Sequence, residues 1–85
     1  MNICIVSTFS CTFDDFSALV KESEKDFRGF ITEYEVVKVN DQKSIMMWHC
    51  TDMEAFEAMM SSPEIKEWDK ENNCVDIVYS LEKIN

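Results

Sequence analysis

The chain predicts one α+β domain spanning residues 1–85, with strands and helices in the order βαββαβ. Three observations predict it. Four short runs are rich in β-branched and aromatic residues, two stretches place apolar residues at helical spacing, and each helical stretch opens on a capping sequence. At 85 residues, with one glycine, one proline and 46% hydrophobic content, the chain suits a single compact globule and not a disordered one.

The first run, NICIVSTF at 2–9, is apolar on both parities until its serine and threonine, as in a strand buried on two faces. Thr12 with Asp15 three residues on resembles a capping box, and Phe13, Phe16, Val20 and Phe27 follow as one helical stripe. Gly29 stands where a helix would end in a left-handed residue. Residues 30–40 read as a strand, NDQK as a tight reversal and SIMMWHC as the return strand. An even loop puts Tyr34, Val36, Met47 and His49 on one face; a three-residue loop swaps the pairing. Thr51 with Glu54 forms a second capping box ahead of the stripe Met53, Phe56 and Met60. Ser62 as N-cap and Pro63 at the first position restart the helix, with Ile65 and Trp68 on its apolar side. The last strand, 74–84, sets Val75, Ile77, Tyr79 and Leu81 against a wetter face of Cys74, Asp76, Val78, Ser80 and Glu82.

That order gives a ferredoxin-like sandwich, an antiparallel four-stranded sheet with helices on one face. Helices can cover only one side of the sheet, yet the strands are apolar on both. A second copy stacked on the bare face, a homodimer, is the expected partner. A domain this short buries only about 60–65% of the surface its unfolded chain exposes, so a partner subunit also compensates for a modest core.

Seventeen acidic residues against eight basic ones give a net charge of −9, which repels phosphate backbones and anionic membrane surfaces. Neither nucleic acid nor membrane is an expected partner. The four cysteines form no C-x-x-C pair, so no metal site is expected, and no cation neighbours any of them in sequence to activate a thiol. The start lacks a basic leader and no run reaches about 20 apolar residues, so a reducing cytoplasm with buried free thiols is expected.

MWHCTDMEAFEAMMSSPEIKEW resembles the third-strand-to-second-helix segment of the dimeric α+β barrel superfamily. That group includes antibiotic-biosynthesis-type monooxygenases, haem-degrading monooxygenases and stress-responsive barrel proteins, and the chain is most similar to its small members. The resemblance rests on Trp48, Thr51, Glu54-Ala55-Phe56 and Ser61-Ser62-Pro63, and identifies fold more than activity. It implies a pocket between sheet and helices, in which several members use a histidine. The Asn-Trp-His set of the haem degraders is not met, because Trp48 and His49 are adjacent on a strand and face opposite ways.

His49, the only histidine, is the candidate catalytic residue, with Tyr34 to orient a substrate. The alternative for His49 is a strand-end residue satisfied by a backbone carbonyl or by Tyr34. Met47, Phe16, Phe56, Trp68 and Tyr79 are candidates to line a cleft for a small apolar or aromatic molecule, although helical aromatic stripes are first of all core. No phosphate loop, nucleophile elbow or H-E-x-x-H motif is present, and no cofactor is expected. Two function classes follow: a binding or assembly module built on the dimer, or a cofactor-independent monooxygenase with His49 as general base.

Overall fold

A computed structural model describes all residues 1–85. The elements run β1 (Ile3–Thr8), α1 (Phe13–Phe27), β2 (Ile31–Asn40), β3 (Lys43–Cys50), α2 (Met53–Met60), α3 (Pro63–Glu71) and β4 (Val75–Ser80). The sheet order is β2-β3-β1-β4, with every neighbouring pair antiparallel, and the helices cover one face. This is the ferredoxin-like arrangement, with the second helix of the expected order split in two at Ser61-Ser62.

The caps follow local chemistry. The Thr12 hydroxyl accepts from the Asp15 amide at 3.2 Å, and Ser62 accepts from Ile65 at 3.4 Å with Pro63 next to it. At α2 the cap is Asp52 and not Thr51: the Asp52 carboxylate takes the Ala55 amide at 3.1 Å, while Thr51 donates to the Phe30 carbonyl. Gly29 does not take a left-handed conformation; the only positive φ belongs to Asn73, at 49°, between α3 and β4. Asparagine tolerates that region better than other non-glycine residues, so α3 can turn directly into β4.

Alternate residues of β1 and β3 face the helices. Ile3, Ile5, Met46, Trp48 and Cys50 pack with Phe9, Phe16, Val20, Phe27, Ile31 and Phe56 into the core. Aromatic rings fill its centre: Trp48 lies 4.7 Å from Phe27 and 5.9 Å from both Tyr34 and Phe56, centroid to centroid. Met53 is an exception among the expected core residues, since it stands at the first turn of α2 and is half exposed.

The β2–β3 register corrects the expected face pairing. Tyr34 pairs with Trp48 and Val36 with Met46, so Tyr34 and Val36 face the helices. Met47 and His49 face the other way, opposite Glu35 and Glu33. A bulge between Lys38 and Asn40, next to the Asp41-Gln42 turn, shifts the register by one residue, which inverts every pairing beyond it.

The helix-free face carries Cys4 and Val6 from β1, Val37 from β2, Ile45 and Met47 from β3, and Val75, Ile77 and Tyr79 from β4. Strand β4 ends at Ser80, and Leu81 to Asn85 continue outside the sheet. All four cysteines are free; only Cys50 is buried, and the other three are half-buried. No helix is long and apolar enough to cross a membrane.

Candidate functional site: a cavity between sheet and helices

A cavity of about 50 Å³ lies between the inner sheet face and the three helices. Its apolar wall comes from Ile5, Met46 and Trp48 on the sheet, Phe16, Leu19 and Val20 on α1, Met59 and Met60 on α2, and Ile65 and Trp68 on α3. Leu19, Ser23, Met59, Ile65 and Trp68 also line a wider groove between the helices, so the cavity is the floor of a path to solvent. Three unbranched methionines in its wall can adjust to an occupant.

One end of the cavity is acidic. Asp69 of α3, Cys74 and Asp76 of β4 bring their ligand atoms within 4.8 Å of one another. The Cys74 thiol donates to Asp76 Oδ1 at 3.6 Å, and the buried Ser7 hydroxyl donates to the same oxygen at 2.5 Å. Burial, with Asp76 nearby, pushes the Asp69 carboxyl above its usual range. Burial, then the Asp76 and Asp69 carboxylates, hold the Cys74 thiol well above its ordinary value, so it stays protonated and unreactive. No metal was expected from the sequence. These three residues are the ones that could hold an ion, but a thiol kept protonated is a poor ligand.

The sheet side of the wall is different. Trp48 is 3% exposed and its indole Nε1–H has no acceptor. Beside it, Tyr34 packs edge-on to Phe27 at 5.3 Å and donates its hydroxyl to Glu24. Burial, and then that carboxylate, raise the Tyr34 phenol to about 12, so it is a fixed donor and not a base.

Of the residues expected at a site, Phe16 and Trp68 line the cavity. Phe56 sits behind Trp48 in the core, and Tyr34 lies on the cavity's side of the sheet but outside its wall. His49, Met47 and Tyr79 are on the opposite face of the sheet. His49 and Tyr34 are therefore not brought together. Sequence reasoning missed Asp69, Cys74 and Asp76, although Asp76 in the middle of an apolar strand was the available signal. It read the Asp76 side of β4 as the wetter face, whereas that side faces the helices.

The backbone is similar over nearly its whole length to SnoaB, a cofactor-independent oxygenase from Streptomyces nogalater. The TM-score is 0.63 at 11% identity, covering 96% of this chain and 94% of that one. A Deinococcus radiodurans protein, assigned by inference as an antibiotic biosynthesis monooxygenase, aligns at TM-score 0.59 and 15% identity over 98% and 96% of the two chains. The likeness shows a shared ferredoxin-like fold. No family model matches the chain, and no curated protein matches it in sequence. At identities this low the likeness speaks for the backbone arrangement, not for an activity.

Proposed function

We propose that the chain works as a homodimeric binding module. Two copies stack through their helix-free sheet faces, and each holds a small apolar or aromatic molecule in the groove between its helices, of which the cavity is the floor. The observation that supports this reading is the orientation of β4. Its apolar residues Val75, Ile77 and Tyr79, all at least half exposed, point away from the helices, while its polar residue Asp76 points toward them. A strand written for one buried face would have the opposite sense. Covering these three and their neighbours Val6, Val37, Ile45 and Met47 with an identical sheet removes a patch larger than soluble monomers usually show.

The same geometry favours a module over an enzyme acting through His49. That side chain faces away from the cavity, opposite Glu33, and in the proposed dimer it belongs to the seam or its rim. The cavity then contains no imidazole, and its phenol neighbour Tyr34 is bound to Glu24. Replacing Ile77 by Glu tests the seam: a charge at the centre of the face yields a folded monomer with unchanged far-ultraviolet circular dichroism. A variant that stays dimeric refutes this interface.

A further inference from the structure

Register sorts the helix-free face into rows that run across the sheet. Val37, Ile45, Val6 and Ile77 stand level on β2, β3, β1 and β4, an aliphatic row from one edge to the other. On one side of it the next row holds Lys43, Thr8 and Val75; on the other side it holds Glu35, Met47, Cys4 and Tyr79. Glu33 and His49 form the row beyond Glu35. The face therefore has a basic end and an acidic end. Neither Lys43 nor Glu35 has a counter-ion in the single chain, where the one ion pair is Lys38 with Asp41. Asp41, the acid nearest Lys43 in sequence, is engaged on the helix side by Lys38 and the Phe13 amide. Lys43 and the Glu35 row lie roughly 13 Å apart along the strands, and side chains standing upright from the sheet do not close that gap within one copy.

Two aligned stackings of identical sheets close a two-fold dimer, and both keep the strand directions of the two copies nearly in line. An axis along the strands keeps each row level and exchanges the edges. It lays Glu35 against the partner's Tyr79, so that a carboxylate loses water and gains no cation. An axis across the strands keeps the edges and reverses the rows. Resting on the dimer reading above, we propose that the axis crosses the strands at the Val37-Ile45-Val6-Ile77 row, so that Lys43 of each copy meets the partner's Glu35. The aliphatic row then packs on its own image, and Val75 covers the partner's Tyr79. Stacked sheets lie about 10 Å apart, a gap that a lysine and a glutamate rising from either side span together. The Glu33 and His49 row runs past the partner's Lys43 row and stays in water. Two such pairs select the orientation more than they set the affinity, which the apolar rows supply.

A charge swap read by sedimentation of the full chain tests this. Lys43→Glu sets two carboxylates against each other at both contacts, and the dimer is expected to weaken about tenfold or more. Glu35→Lys sets two ammonium groups against each other and is expected to weaken it as well, although it brings the net charge of −9 closer to zero. An equimolar mixture of the two variants pairs opposite charges at both contacts, and its mixed dimer is expected to return to within about threefold of the parent. Lys66→Glu on α3, the same charge change away from the face, weakens the dimer far less. A Glu35→Lys dimer as tight as the parent or tighter, or a mixture no tighter than its components, overturns the orientation. A dimeric parent in that case leaves the stacked sheets standing, whereas a monomeric parent removes both readings. If Lys43→Glu does not fold, Glu35→Lys decides alone: weakening supports the crossed axis and tightening refutes it.

Discussion

Asp69 carries a carboxyl whose proton is held more tightly in the folded chain than in the unfolded one. Between the ordinary value of 3.8 and the raised native one, the folded state binds the extra proton, so stability falls as pH rises through that window and stays lower above it. Asp69→Asn, which keeps shape and removes the charge, therefore melts at higher temperature than the parent at pH 7. The difference shrinks as pH drops below 3.8, where both states of the parent are protonated. Thermal melts at pH 7 and pH 3 check it, and an equal difference at both rules out the electrostatic cause. Nothing in the sequence marks Asp69 as special, because it sits among Glu67, Lys70 and Glu71 on a charged helix and only the return of β4 brings Asp76 against it. His49 had the reverse history. Its rarity singled it out, but which face it occupied depended on a bulge beside the hairpin turn that residue types do not reveal.

Element boundaries were legible wherever local chemistry decides them. The Thr12 and Ser62 caps and Pro63 occupy the places the sequence predicts. Because the Ser62 hydroxyl satisfies an otherwise orphaned amide at the start of α3, Ser62→Ala is expected to lower stability by about 1 kcal/mol in urea unfolding. A loss under a few tenths would mean the cap is replaced by water. The second cap was misplaced by one residue, since Thr51 and Asp52 are both good cap residues and the choice rests on the distant Phe30 carbonyl, which holds Thr51. The left-handed residue was misplaced too. A glycine at a helix end suggested it, but α1 leaves through a turn that needs no positive φ, while the sharp exit from α3 falls on Asn73. Amphipathic strands show the same limit. Alternation in β4 was plain, yet which side met the helices was not, because a strand at the sheet's edge has both faces within reach of something apolar.

At the scale of the whole molecule, the order of elements and the two-sided apolarity of the sheet were readable before any coordinates, since both follow from composition at period two. What pairs with the bare face is a question of energy. Each of Val75, Ile77 and Tyr79 is about half exposed, and covering it contributes about 1 kcal/mol per side chain. Against this stands the repulsion of two chains of charge −9 each. Salt screens repulsion and leaves apolar contact intact, so the dimer tightens between 0.05 and 0.5 M sodium chloride, roughly from one Debye length of about 14 Å to one of about 4 Å. Weakening with salt would indicate an interface of ion pairs instead. The most direct test is the mass of the chain in solution by light scattering at micromolar concentration. Stacked sheets predict twice the chain mass of 10.0 kDa. A stable species of 10.0 kDa, with Ile77 and Tyr79 left in water, contradicts the account.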